Sequence, residues 1–194
     1  DQYYCLQVKD IQRWRAQLLG KKHAIVVQMD DKCTLVIGNP REPQSLIAKC
    51  RSMKGASIVP CASGASRGED HQVQATAKAV PAVVLVQDIP LNPNDSWYRG
   101  QVSFVLRDAL TQASSAARHA VELLAVLHKQ YGRVLPSSLL LGTDGGPDHN
   151  VTFLSVQMSL VYIFVKGDFD YLSARRACPY QSYTQEVERI MAMF

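Results

Sequence analysis

The sequence predicts an α/β protein whose mixed β-sheet has helices on both faces. Three observations support this fold class. Two short apolar runs follow each other near the N-terminus, which is typical of strands. From residue 101 onward, segments with strand and helix character alternate. The chain has 194 residues, 47% hydrophobic and 20% charged, which is enough for one domain with its own core and an insertion.

The first residues predict a basic helix followed by two strands. Residues 1–22 carry five Lys and Arg side chains between apolar positions, which indicates an amphipathic helix. Residues 23–29 form an apolar, β-branched run that predicts a buried strand, and this strand ends at Asp30. Strand character resumes at residues 33–37 after a polar turn. We therefore expect the two strands to form a β-hairpin.

Residues 39–99 interrupt this regular pattern. Six of the nine prolines fall in this segment, together with a Gly- and Ser-rich run at residues 62–68. Two short apolar runs remain, at residues 57–59 and 82–86, and they are too small to form a separate core. We therefore predict a single domain over residues 1–194 that carries an insertion at residues 39–99.

The second half returns to regular alternation. Its helices have apolar positions at helical spacing, and Gly132 and Pro136 are expected to end the first of them. The predicted order is a strand at 101–106, a helix at 113–131, a strand at 139–143, a helix at 151–165, a strand at 171–174 and a helix from 184. The helix at 151–165 is expected to face the core with the stripe Val151, Leu154, Met158, Val161 and Val165.

Several classes of protein are disfavoured by the composition. No stretch approaches the roughly 20 apolar residues of a membrane-spanning helix, so we expect no membrane association. Five cysteines without a C-x-x-C pair predict neither a disulfide framework nor a zinc site, and they favour an intracellular compartment. The sequence has no glycine-rich phosphate loop and no Gly-x-Ser-x-Gly element, which disfavours a nucleotide cofactor and a serine hydrolase. The net charge of +4 permits a polyanionic partner.

Three acidic residues fall where such a sheet collects ligands. Asp30 ends the first strand, and Asp144 follows the strand at 139–143. Ligands bind at the carboxyl ends of strands in these sheets, so we expect the two carboxylates to converge. Glu188 lies in the last helix, off its apolar stripe, and is placed to project toward them. Any one of these acids alone is more simply a solvated charge, but a group of three suits divalent cations, which prefer oxygen ligands.

Three short motifs resemble those of the mariner-type DDE/D transposases. The segment Asp144 to His149 is similar to the family's second-aspartate motif, with Pro at the third place after the Asp and His at the fifth. Residues 179–182, followed by Glu188 in a helix, resemble the turn before the family's last catalytic acid. Residues 29–32 before a strand are similar to its first-aspartate hairpin. The resemblance covers the first hairpin and about residues 101–194.

The resemblance implies a ribonuclease-H-like fold and a catalytic site for DNA cleavage and strand transfer. In that site Asp30, Asp144 and Glu188 would hold two Mg²⁺ or Mn²⁺ ions. DNA would be the partner and the nucleus the location, and a homodimer is compatible with the family. Asp31 stays open as the alternative first ligand, because a one-residue shift turns a strand side chain to the other face.

Several further residues are expected near this site. His149 would contact phosphate or orient Asp144, or else it would partner the start of the following helix. Trp97 and Tyr98 would stack on bases, or else they would pack a loop onto the core. Four basic residues would contact DNA phosphates, or else they would form a solvated face; these are Lys32, Arg175, Arg176 and Arg189.

Two rival interpretations remain at this point. The first is a domesticated transposase core that no longer cuts and serves as a DNA- or protein-binding module. The family commonly has Asn after the second Asp, and this chain has Gly145, which keeps that rival open. The second is a ribonuclease-H-like nuclease that acts on RNA.

Overall fold

The computed structural model describes a chain that divides into two compact units. The larger unit comprises residues 1–32, 81–106 and 114–194, and the smaller one comprises residues 33–80 and 107–113. The residues described are 2–31, 35–37, 77–92, 95–109, 111–178 and 185–191.

Most predicted elements of the second half occur close to their predicted ends. The strands within the described ranges are β1 (Ala24–Asp31), β2 (Leu35–Ile37), β3 (Ala77–Gln87), β4 (Gly100–Asp108), β5 (Ser138–Thr143) and β6 (Tyr171–Arg176). The helices there are α1 (Gln2–Leu19), α2 (Ala116–Tyr131), α3 (Leu154–Lys166) and α4 (Glu186–Met191). Of these described helices, none has the length and apolar character needed to cross a membrane.

The larger unit is built on a mixed sheet with β1 at its centre. β1 pairs antiparallel with β3 on one edge and parallel with β5 on the other. β6 continues the parallel half beside β5, and β4 pairs with β3. The resulting order β4-β3-β1-β5-β6, flanked by helices, confirms the predicted ribonuclease-H-like sheet.

The predicted hairpin of β1 and β2 is wrong. In the smaller unit, β2 pairs antiparallel with residues 77–79 at the start of β3. β1 instead pairs with residues 82–87 of β3, from Val26 opposite Gln87 to Asp31 opposite Ala82. Its other edge is occupied by β5, so no edge is left for β2. The error arose because the apolar run at 82–86 was assigned to the insertion, whereas it supplies the long antiparallel partner of β1.

Alternation along β1 separates its side chains between the two faces of the sheet. Ile25, Val27 and Met29 belong to the main core, which α2 and α3 cover. Val26 packs on the opposite face with Ala16 of α1 and Trp97. Asp30 has the same parity as Val26, so it lies on the α1 face, whereas Asp31 lies on the face of α2 and α3.

Two helices are fixed by specific polar contacts as well as by packing. The hydroxyl of Ser115 accepts a hydrogen bond from the backbone N–H of Arg118 at 3.3 Å and caps α2 at its N-terminus. Gly132 ends α2 with a φ of 83°, a conformation that favours glycine, as the sequence predicted. On the other face, the amide of Gln12 in α1 donates to the carbonyl and hydroxyl oxygens of Ser173 in β6, both at 3.0 Å.

The core-facing stripe predicted for α3 is wrong. Leu154, Met158, Val161 and Val165 are exposed, with 56–71% of their surface accessible. The buried side of α3 consists of Val156, Ser159 and Ile163. This helix is apolar around most of its circumference, so periodicity alone does not select the side that packs.

Substitutions on the two sides of α3 are expected to differ in cost. Ile163→Ala should lower the free energy of unfolding by about 2–4 kcal/mol, because it leaves a cavity beside Phe169 and the core of α2. Val161→Ala, on the exposed side, should change it by less than about 0.5 kcal/mol. Urea unfolding followed by circular dichroism measures both values. Equal losses of unfolding free energy in the two variants would instead support the core-facing stripe predicted from the sequence.

Candidate functional site

Asp30 and Asp144 lie beside each other at the carboxyl ends of two paired strands. The parallel register of β1 and β5 places Met29 opposite Thr143, so the next residue on each strand is one of the two acids. Paired strands lie about 4.8 Å apart, which brings the two residues within one strand spacing. Acids that are far apart in the sequence therefore meet at one edge of the sheet, as the strand-end pattern predicted.

The short helix α4 carries the third acid, Glu188, on the same face of the sheet as Asp30. Val187 and Met191 of this helix are buried in a cluster with Val83 and Leu85 of β3. Packing of these neighbours leaves Glu188 half-buried at the edge of the cluster. Its position is close enough for its charge to act on Asp30.

Asp30 responds electrostatically to both of the other acids. Burial, which leaves this residue 7% exposed, is the largest cause that raises the pKa of Asp30 to about 8. The negative charge of Asp144 acts next in the same direction, followed by smaller contributions from Glu188 and Asp31. The backbone N–H of Asp31 donates to Oδ1 of Asp30 at 2.8 Å and partly opposes this rise. The structure thus brings the three predicted acids into one electrostatic group.

Asp31 is held on the opposite face of the sheet. Its Oδ2 accepts a hydrogen bond from the hydroxyl of Ser114 at 2.8 Å and lies 3.4 Å from Nε2 of His119. The same Nε2 also lies 3.0 Å from the Ser114 hydroxyl. A catalytic triad uses both ring nitrogens of its histidine, so this cluster does not have that arrangement. These contacts favour Asp30 over Asp31 as the first acid of the candidate site.

The loop after β5 fixes the carboxylate of Asp144. The backbone N–H of Gly146 donates to Oδ1 of Asp144 at 2.9 Å. Gly145 has a φ of 85°, and a Cβ there would lie 3.0 Å from the Cβ of Arg176. A side chain at Gly145 would therefore be strained as well as crowded. The tight turn therefore explains the glycine at position 145.

His149 packs inward and not toward Asp144. Its ring lies on the ring of His119, with a distance of 4.1 Å between centroids, and the residue is buried. The side chain therefore belongs to the packing between α2 and the loop after β5. The start of α3 follows Phe153, which makes no side-chain cap, so His149 does not cap this helix.

The four basic residues that were predicted to contact phosphate do not share one environment. Arg175 is buried, and its guanidinium donates to Oε1 of Gln28 at 3.2 Å, so the expectation that it contacts DNA is corrected. Arg176 is half-buried beside Gly145, and Arg189 is exposed above the ring of Tyr98. Lys32 lies outside the described residues, as do residues 179–182 of the resembling turn.

A buried ion-pair cluster on α4 was not predicted from the sequence. Oε1 of the fully buried Glu186 lies 2.6 Å from Arg13 and 2.9 Å from Lys9, both in α1. Its Oε2 lies 4.0 Å from Arg175 in β6. Burial alone would raise the pKa of Glu186, but Lys9 and Arg13 hold this pKa below its ordinary value. No periodicity separates Glu186 from an exposed acid, so the sequence carried no signal for this cluster.

A row of buried amides joins this cluster to the centre of the sheet. The amide of Gln28 in β1 donates to Oε1 of Gln87 at 3.0 Å, and Gln87 donates to the carbonyl of Trp97 at 2.5 Å. Gly142 of β5 makes room for the contact between Gln28 and Arg175, because a Cβ there would overlap with Oε1 of Gln28. This network supports the strand ends that carry the acids.

The candidate acids fit a divalent cation in charge and in ligand type. Burial is the main cause of the raised pKa of Asp30, and repulsion by the neighbouring carboxylates adds to it; a bound cation would relieve that repulsion. Among the residues whose placement is described, however, no three His, Cys, Asp or Glu side chains are arranged to hold a metal ion. The structure therefore shows an acidic group with suitable donors and does not show a closed ligand cage.

Comparisons with known proteins identify structural similarity only. No protein-family model matches the chain, and a search of curated proteins gives no match. Among solved structures, the Mos1 mariner paired-end complex with Mn is similar at 15% identity and a TM-score of 0.43, over 97% of this chain and 54% of that one. The Mos1 Strand Transfer Complex is similar at 14% identity and a TM-score of 0.41, over 97% and 53%. The chain spans about half the length of these proteins. A likeness at this level says nothing about function.

Proposed function

We propose that the chain is the catalytic core of a transposase or integrase-like enzyme that cleaves DNA and transfers the cut strand. Asp30, Asp144 and Glu188 would be its catalytic acids, as the sequence motifs imply. The supporting observation is that Asp30, next to the last residue of β1, lies beside Asp144, and that its pKa is raised by burial and then by the charges of Asp144 and Glu188. Carboxylates that share a site repel one another, and this repulsion is relieved when a cation binds between them.

Each part of the site contributes a separate property to this chemistry. The two aspartates would share Mg²⁺ or Mn²⁺, two ions in all, with Glu188; bound ions of this kind activate a water and stabilise the leaving oxygen. The N–H of Gly146 holds the Asp144 carboxylate in one orientation, so little ordering is needed when it binds. Asp30 is buried and would release its proton as it becomes a ligand.

The direct test is nicking of supercoiled DNA with Asp144→Asn. Wild-type protein is expected to nick in Mn²⁺ and to stop in excess chelator. Asp144→Asn should reduce nicking to background, because an amide removes the negative charge that a cation requires. Asp148→Asn, four residues later in the same loop, is the matched control and should nick like wild type. Circular dichroism of both variants checks that the fold is retained.

A comparison of two substrates distinguishes this proposal from an RNA-cleaving nuclease and from an inactive module. Plasmid DNA and an RNA–DNA hybrid of equal length are compared under one Mn²⁺ concentration. Preference for DNA supports the proposal, and cleavage confined to the RNA strand contradicts it. Nicking by Asp144→Asn at the wild-type rate would remove Asp144 from the site. Absence of nicking, together with no Mn²⁺ binding by calorimetry, would leave the inactive module as the better account.

A further inference from the structure

An open cavity of about 710 Å³ lies beside α4, within the larger unit, and its lining does not include Asp30, Asp144 or Glu188. α1 forms one wall, the segment 95–98 forms another, and Arg189 of α4 closes a third side. Lining residues with polar or charged side chains are Lys9, Asp10, Arg13, Gln17, Asp95, Ser96 and Arg189. A volume of this size is typical of sites that hold one small ligand.

Three aromatic side chains line this cavity. Trp97 is 6% exposed and packs with Ala16 and Leu140, so its indole is a fixed part of the wall. Trp14 and Tyr98 are 63% and 42% exposed, so their rings are open to solvent. The sequence was compatible with either stacking or packing for Trp97 and Tyr98; in the structure Trp97 is packed and Tyr98 is exposed.

Cations lie over or beside these rings. The guanidinium of Arg13 lies 5.4 Å from the ring centre of Trp97, and that of Arg189 lies 4.3 Å from the ring centre of Tyr98. Arg13 is held by Glu186, whereas Arg189 forms no ion pair with any residue that the structure describes. Asp10 and Asp95 add negative charge at the same cavity, which disfavours a bare polyanion. The exposed rings favour a ligand with a planar part, and Arg189 favours a single anionic group on it.

We propose that this cavity binds one unpaired nucleotide of a DNA strand. Its base would stack on the exposed ring of Trp14, and its phosphate would meet Arg189 above the ring of Tyr98. Bases inside a duplex are already stacked on their neighbours, so only an unpaired one presents a free face to the ring of Trp14. The choice of DNA rests on the proposed function, because Arg189 directly follows the candidate acid Glu188 and a strand at the acids would pass close to it.

Tryptophan fluorescence offers a specific probe of this cavity. The chain has two tryptophans, Trp14 and Trp97, and both line it. A duplex with a short single-stranded overhang is titrated against a blunt duplex of the same paired sequence, in excess chelator so that no metal is involved. We expect the overhang to quench the emission and to bind roughly tenfold more tightly, because stacking of one base contributes about 1–3 kcal/mol.

Trp14→Ala is expected to remove most of this preference for the overhang. Tyr4→Ala is the matched control, because Tyr4 is an exposed aromatic residue of the same helix that does not line the cavity. Arg189→Gln provides a second variant, for which the preference should fall without loss of tryptophan emission. The proposal would be overturned if the Trp14→Ala variant bound the overhang as tightly as wild type. It would also be overturned if the two duplexes quenched the emission of the wild type equally.

Failure here is distinguishable from failure of the proposed function. Protein that prefers the overhang and does not nick would support the cavity and contradict the catalytic assignment. Protein that nicks DNA and shows no preference for the overhang would support the catalytic assignment and contradict the proposal for the cavity. A preference for an RNA overhang over a DNA overhang of the same sequence would contradict the choice of DNA.

Discussion

Raising the pH from about 4 to about 8 without divalent ions is expected to destabilise the protein through Asp30. This carboxyl has a pKa of about 8 in the folded protein, well above its ordinary value of 3.8. Between the two values the folded state holds a proton that the unfolded state has lost. The free energy of unfolding therefore falls as the pH rises through this window, by up to about 1.4 kcal/mol per pH unit.

Asp30→Asn is expected to remove this pH dependence. The amide resembles the protonated acid in shape and carries no charge at any pH. The variant should match the wild type in stability near pH 4 and exceed it increasingly up to about pH 8, above which the difference should level off. It should also lose Mn²⁺-dependent nicking, so it would be a more stable but inactive protein at neutral pH, as is expected for an acid kept for function.

Denaturant unfolding at a series of pH values in excess chelator measures this difference. Asp170→Asn is the control, because Asp170 is exposed and its substitution should leave the pH profile unchanged. Addition of Mn²⁺ should stabilise the wild type more at pH 8 than at pH 6, because a cation binds the ionised carboxylate. Parallel pH profiles for wild type and Asp30→Asn would show that Asp30 is not buried in an acidic group.

The strand-end positions of Asp30 and Asp144 were predictable because local sequence determines where a strand ends. The apolar run before Asp30 and the run before Asp144 are each long enough for one strand, and each stops at an acid. Parallel pairing of β1 and β5 then brings the two ends together, as α/β folds generally do. Glu188 was predictable in part, because its neighbours Val187 and Met191 marked the buried side of α4.

The features that the sequence did not reveal depend on tertiary partners. The side of α3 that packs is set by α2 and Phe169, since apolar residues occur around most of the helix. β3 is separated from β1 by a long stretch of sequence, and local patterns did not indicate that β3, and not β2, pairs with β1. Arg175 was expected on the surface because an arginine is seldom buried. Its burial depends on Gln28, which is distant in the sequence, and on Glu186 of α4.

Glu186→Gln is expected to lower the free energy of unfolding by about 3 kcal/mol. Removal of one member of a buried ion pair leaves its partner charged and uncompensated, at a cost of about 3–5 kcal/mol. Here the cost should lie at the lower end, because Lys9 and Arg13 retain some access to water and can turn outward. Arg175 is too deeply buried to do so, and most of the cost arises from its charge.

The pH dependence of this loss has the opposite sign to that of Asp30. The pKa of Glu186 is lowered from its ordinary value of 4.5 in the folded protein, with Lys9 and Arg13 outweighing burial. The stability that it supplies is therefore fully present above about pH 4.5 and is lost as the pH falls through the lowered value. Wild type and Glu186→Gln should differ most near neutral pH and converge in strongly acidic solution.

Glu188→Gln is the matched control, two positions along the same helix. Glu188 is half-buried near Asp30, so its neutralisation removes a repulsion and should leave stability unchanged or slightly raised, while nicking is lost. Glu186→Gln should lose stability, with nicking that recovers when the fold is supported by lower temperature. Thermal unfolding and nicking at two temperatures separate the two effects. If both variants lost nicking and kept full stability, Glu186 would belong to the acidic site, and its ion pairs with α1 would not be what holds α4 against the sheet.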